Sequence, residues 1–164
     1  MRKIIVIGCP GSGKTTFAEK LAKKSGIQLF YLDAIWHKAD RTHISREEFD
    51  MRLSEILQLD EWIVDGNYSR TLERRISVCD TVILFDLPME LCLEGATLRI
   101  GKKRCDMPWI DTELDPYLKR EIEDFGTKNL PSIYALIDKY KESKKIIIFK
   151  TREEADSFLS NTEF

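Results

Sequence analysis

The chain alternates two hydrophobic rhythms. Short runs rich in β-branched residues occupy residues 3–8, 27–32, 61–65, 81–87 and 145–149. They lack the polar alternation of a half-exposed strand, so they predict strands buried on both faces. Between them, apolar residues recur at helical spacing. Phe17, Ala18, Leu21 and Ala22 share one face of a helix predicted over residues 13–24, which Gly26 stops. Ser45 and Glu48 form a capping box ahead of Phe49, Leu53, Ile56 and Leu57. Pro88 suits the first turn of a helix predicted to run to residue 100. Residues 117–142 read as helix interrupted near Pro131, with Ile133, Leu136, Ile137 and Tyr140 facing inward. Thr151 and Glu154 cap a last helix carrying Ala155, Phe158 and Leu159. Residues 34–44, with Trp36, His37 and His43, read as a loop. Residues 101–116 are polar and broken by two prolines, and read as an excursion beyond the sheet.

Strands separated by helices in one short chain predict an α/β fold of three layers: five parallel strands with helices on both faces. Composition agrees. The 164 residues suit a single domain over 1–164, and 43% hydrophobic residues supply its core. The 26 Lys and Arg against 28 Asp and Glu leave a net charge of −2, with both signs interspersed. A pI of about 5.8 counts against direct nucleic-acid binding as the main work. Apolar runs are a handful of residues long, far short of the ~20 of a membrane-spanning helix. Residues 1–7 mimic the charged start of a signal peptide, but the apolar part is too short for one. Cys9, Cys79, Cys92 and Cys105 are scattered, without a Cys-x-x-Cys pair or a His at ligand spacing. Four free thiols point to a reducing compartment, the cytoplasm.

One motif dominates the chemistry. Gly8-Cys9-Pro10-Gly11-Ser12-Gly13-Lys14-Thr15 matches the phosphate-binding loop pattern at every fixed position, between a predicted buried strand and an amphipathic helix. Its backbone N–H groups, with those of Thr16, face the phosphates of ATP at a helix N-terminus. Lys14 reaches the β- and γ-phosphates, and the Thr15 hydroxyl ligates Mg²⁺. Asp65, at the end of a buried strand, is a candidate to hold a water of that Mg²⁺. Cys9 lies beside a helix N-terminus and Lys14, conditions that lower a thiol pKa, yet no redox or acyl partner accompanies it. It reads as a small residue filling the loop.

No Asn-Lys pair exists to build the base-reading motif of a GTPase, and the chain is short for a motor or transporter ATPase. The small kinases remain. Asp65-Gly66-Asn67-Tyr68-Ser69-Arg70-Thr71 resembles the Asp-Gly-Phe-Pro-Arg-Thr segment of adenylate kinases, and the strand from Asp80 to Pro88 is similar to its counterpart there. The wider combination of Tyr31-Leu32-Asp33, Trp36, the stretch from Trp62 to Arg70, and Arg104-Cys105-Asp106-Met107-Pro108 resembles the adenylate-kinase-like family often labelled "DNA topology modulation protein".

The resemblance implies a P-loop kinase that moves the γ-phosphoryl group of ATP·Mg²⁺ to a nucleotide, nucleoside or other small polar acceptor. It implies that Arg70 grips the acceptor or the moving phosphate. It implies too that residues 101–116 form a lid, with Arg99, Lys103 and Arg104 closing over the phosphates. Asp33 either orients an acceptor hydroxyl and takes its proton, or caps a strand end. Trp36, His37 and Tyr68 either line an acceptor pocket or belong to the core. Arg74 and Arg75 read as helix surface, and Asp86 as structural capping. Asn67-Tyr68-Ser69 departs from the adenylate kinase segment, residues 34–60 offer one helix for acceptor binding, and the lid lacks a zinc set. ATP as donor is therefore better supported than AMP as acceptor. The rival reading is a nucleotide-switched regulator related to DNA topology. Cations converging on one pocket predict the kinase, and a basic stripe across an open face predicts nucleic acid.

Overall fold

The middle of the molecule is strand β1, Lys3–Gly8. Ile4, Ile5, Val6 and Ile7 are all fully buried, and successive strand residues face opposite ways, so both faces of the sheet are covered here. The computed structural model describes residues 1–162. Four further strands follow along the chain: β2 (Leu29–Tyr31), β3 (Trp62–Asp65), β4 (Thr81–Phe85) and β5 (Lys145–Phe149). All pair parallel, in the order β2-β3-β1-β4-β5. Because parallel crossovers are right-handed, helices return over both faces between strands.

Helix α1, Lys14–Ser25, starts directly after the glycine-rich loop. Phe17 anchors it: its ring lies 5.3 Å from that of Phe85 on β4 and 5.4 Å from that of Phe149 on β5. Helix α2 (Leu32–Trp36) and α3 (Arg46–Gln58) precede β3, and α4 (Ser69–Val78) follows it. Helix α5, Met89–Thr97, lies after β4. Then come α6 (Pro116–Asp124), a π-helical turn over Phe125–Asn129, and α7 (Leu130–Tyr140). Helix α8, Arg152–Asn161, carries the complete Thr151–Glu154 capping box. No helix of the described residues is long and apolar enough to cross a membrane.

Three sequence expectations need correction. The second strand is confined to Leu29–Tyr31, because as an edge strand it pairs only with β3. Asp33 therefore sits in the first turn of α2, not at a strand end. Residues 34–44 are not an open loop. They continue α2 to Trp36 and then fold into a hairpin bridged between His37 and His43, whose rim stacks His43 on Trp36 at 4.3 Å. Helix α5 ends at Thr97 rather than near residue 100. The break near Pro131 takes the form of the π-helical turn, which widens the ladder just where proline brings no N–H.

Candidate nucleotide and acceptor site

The glycine-rich loop leaves β1 at Gly8 and closes into α1 at Lys14, at the edge of the sheet where the strands end. It is pressed against α5. Gly11 has φ +82°, and a Cβ there would meet the Cys92 carbonyl oxygen at 2.0 Å, so only glycine fits. A guanidinium pins the same contact from the far end of the chain. Arg152, the first residue of α8, donates to the carbonyls of Leu91 (2.9 Å), Gly11 and Ser12 (3.4 Å each). Sequence reasoning missed this residue; its one signal was its place right after the last strand and cap.

Beneath the loop, four consecutive residues reach three parts of the site. Asp65 ends β3 and accepts a 2.6 Å bond from the Thr15 hydroxyl. Asn67 accepts from the Gly8 N–H at 3.0 Å and donates to the Gly8 carbonyl at 2.9 Å. Tyr68 donates its hydroxyl to Asp33 Oδ1 at 2.9 Å. The carbonyls of Gly66, Asn67 and Tyr68 all accept from Arg75. That arginine is fully buried, so the helix-surface reading was wrong. The backbone of 66–68 turns its carbonyls inward, and a five-donor fork is the side chain that can serve three at once.

Asp65 is 4% exposed, and burial raises its carboxyl to about 6, against the opposing influence of Lys14 and of the Thr15 bond. Its Oδ1 and the Ser12 hydroxyl are buried without hydrogen-bond partners. A hydroxyl and an unsatisfied carboxylate fit Mg²⁺, which takes one or two protein oxygens and keeps waters and phosphate oxygens for the rest. Among the described residues no group of three or more His, Cys, Asp or Glu is placed to hold a metal alone.

The buried charge carries a stability consequence. Raising a carboxyl from 3.8 to about 6 means that the folded state holds a proton the unfolded state has released, so metal-free stability falls as pH rises through that window. Asp65→Asn is expected to stabilise the metal-free protein by about 2–3 kcal/mol near pH 8, with the gain vanishing toward pH 4. Denaturant melts of both proteins in EDTA at the two pH values check this; a gain independent of pH would refute it.

A cleft of about 470 Å³ opens in front of the loop. Lys14, Arg99, Lys102, Lys103, Arg104 and Arg152 line it. Arg99 is largely sunk in the protein, its Nε unpartnered, and burial followed by repulsion from Arg104 lowers its pKa. Arg104 binds the buried Asp106 through Nε at 2.9 Å and lies 3.7 Å from Asp111. Residues 98–115 thus place basic groups beside the loop without any regular strand or helix.

The other candidates scatter. Asp33, Trp36 and Tyr68 come together: Trp36 lies edge-on to Tyr68 at 6.3 Å, and Phe49 stacks on Tyr68 at 5.0 Å. Trp109, from the loop before α6, touches His37 at 5.1 Å and carries Arg41 over its ring. Burial lowers the His37 pKa, and Asp33 opposes that shift. Arg70 stands apart. It is exposed and holds Asp50 of α3 with two bonds, 2.8 and 2.7 Å, away from the cleft. Arg74 bonds Ser54 on the same surface. Glu121 of α6 was not foreseen. Burial raises its pKa, with Lys14 opposing and Asp33 adding, so α6 brings a part-buried carboxylate within charge range of both. Asp86 receives Tyr134 at 2.6 Å and the Lys150 ammonium, joining β4 to α7 and the end of β5. Cys9 corrects its expectation: contact with Cys92 and then burial push its thiol pKa up, outweighing Lys14.

Residues 4–61, from β1 through α3, match the family described as "ATPase family associated with various cellular activities (AAA)". No curated protein matches the chain. Among solved structures, shikimate kinase from Bacteroides thetaiotaomicron superposes with a TM-score of 0.57 at 17% identity, covering 96% of this chain and 93% of that one. A sugar kinase from Janibacter sp. HTCC2649 gives 0.52 at 16% identity, covering 98% and 91%. The fold is that of a P-loop NTPase. At such identities the likeness is one of architecture, and the P-loop fold hosts many chemistries.

Proposed function

We propose that this protein is a kinase of the adenylate-kinase-like type. It transfers the γ-phosphoryl group of ATP, with Mg²⁺, to a small polar acceptor: a nucleotide, a nucleoside or another metabolite. The observation that carries the reading is a single cleft lined by Thr15, which donates to the buried Asp65 behind it, and by the cations of the loop and of residues 99–104. Positive charge around the equatorial oxygens, a metal and excluded water are what this reaction needs. Mg²⁺, which Thr15 and Asp65 would hold, would neutralise charge on the phosphates. Lys14 would add a fixed cation beside them. Arg99 and Arg104 complete the shell, with residues 101–116 acting as the lid.

In the transfer the acceptor oxygen bonds to the γ-phosphorus, the bond to the β-bridging oxygen breaks, and ADP leaves. Asp33, steadied by Tyr68, orients an acceptor hydroxyl and takes its proton. Trp36 and Tyr68 wall the acceptor side. Arg70 enters only by giving up Asp50.

The rival reading, a regulator related to DNA topology, needs a basic stripe on an open face. Arg70 and Arg74 are instead engaged by Asp50 and Ser54. ADP release, followed across nucleoside monophosphates, nucleosides and sugar-type alcohols, tests the proposal. At least one acceptor is expected to raise turnover to ~1 s⁻¹ or more. Tight ATP binding with no acceptor response from any class would reject the kinase.

A further inference from the structure

The β1–β3 ladder ends with Val6 opposite Asp65, and Gly66 adds one bond from its N–H to the Val6 carbonyl at 3.1 Å. Continued by two places, that register sets Gly8 opposite Asn67. At this point β1 is turning into the phosphate loop and β3 is turning toward α4, so their backbones can no longer pair. The Asn67 side chain takes over. Its amide offers one acceptor and one donor in a plane, as a peptide does, and meets both polar groups of Gly8 at 3.0 and 2.9 Å.

Gly8 is the first residue of the loop. Its carbonyl and N–H would otherwise be buried without partners, free to rotate and to carry the following amides with them. The residue that fixes them stands between Asp65, which holds Thr15, and Tyr68, which holds Asp33. The carbonyls of that segment are in turn clamped by Arg75.

We propose that Asn67 is a positioning residue for the phosphates: its amide extends the sheet ladder by one side chain and fixes the phosphate loop relative to the metal carboxylate and the acceptor aspartate. The inference rests on the nucleotide-binding part of the proposed function and not on the identity of the acceptor. Asparagine is the side chain this requires. Aspartate keeps the acceptor but loses the donor and sets a negative charge under the loop, and alanine loses both bonds. Misplacing oriented groups by an ångström costs rate and affinity out of proportion to the bonds lost.

The test is binding, not turnover. Affinities for ADP and for adenosine are measured by calorimetry in EDTA on the full chain, for wild type, Asn67→Ala and Asn67→Asp, with melting temperatures alongside. Because the amide acts on the phosphate loop, Asn67→Ala is expected to weaken ADP about tenfold and leave adenosine within twofold. Asn67→Asp is expected to weaken ADP further, again sparing adenosine. Equal losses for both ligands, or ADP bound as in wild type, would overturn the inference and leave Asn67 a structural residue only. Should Asn67→Ala fail to fold, the uncharged Asn67→Ser, too short to reach both groups of Gly8, decides by the same split. Wild-type protein that binds no ADP would instead reject the nucleotide site itself, a failure distinct from this one.

Discussion

Lys14→Ala is expected to lower phosphoryl transfer by roughly a thousandfold, about 4 kcal/mol of transition-state stabilisation, while the protein stays folded. Lys14 is 8% exposed and opens the cleft-facing end of α1, where its ammonium acts on both Asp65 and Glu121. As the bond to ADP breaks, its electron pair moves onto the leaving β-phosphate oxygen, and a preplaced cation beside the phosphates meets that charge without reorganising. Alanine leaves the Thr15–Asp65 pair intact, so Mg²⁺ and the loop amides still bind nucleotide, with affinity reduced about tenfold. Lys14→Arg is expected to fail nearly as badly, because a planar fork cannot replace a point charge in so tight a place. Steady-state ADP release with the best acceptor, with nucleotide affinity measured separately, gives the answer. A variant that kept a tenth of wild-type turnover would remove Lys14 from the chemistry.

The second large effect is on stability. Arg75→Met is expected to cost about 3 kcal/mol, lowering the melting temperature by about 10 °C for a chain of this size. Two terms oppose each other. Burial drags the Arg75 pKa down to about 10, so the charge itself is held at a cost, and removing it relieves that cost. Against this, three carbonyls lose their donor, that of Gly66 buried and those of Asn67 and Tyr68 partly so, at about 1–3 kcal/mol each. The carbonyls win. Arg75→Lys retains charge but not the fork, and is expected to fall between. Because the same carbonyls belong to the segment that carries Asp65 and Asn67, weaker nucleotide binding should accompany the loss. An unchanged melting temperature would mean that the segment is held by other contacts.

Much of this is legible in the amino-acid sequence. The strand at 145–149 and the capping box at Thr151 lie where periodicity and capping put them, since both signals are local. The loop at 8–15 is flanked by the strand and helix it needs. The failures share a cause. Arg75 looks like a surface cation on an amphipathic helix, because nothing in sequence says that a loop nine residues earlier aims its carbonyls there. Arg152 acts on residues 61 to 141 positions away. Cys9 looks activated by its local dipole, but Cys92 comes from another helix and reverses the sign. Arg70 lies in the expected segment, yet the first turn of α4 directs it to Asp50, a pairing set by how α3 lies beside α4. Asp33 reads as a strand end because three residues on an edge give too short a pattern to mark where β2 stops.

The π-helical turn at Phe125–Asn129 turns chain length into geometry. Each helical residue is rotated about 100° from the one before it, and the wide turn supplies one extra residue's worth of that rotation. It lets α6 bury Ile122 while α7, on a different phase, buries Ile133 and Ile137. Deleting a single residue there would restore an ordinary helix and swing one set out of place. The loop at 98–115 has no such phase to keep. Related chains should therefore vary in length before Pro116 and keep count after it, so a gap placed at residues 125–129 in an alignment marks either an error or a rebuilt site.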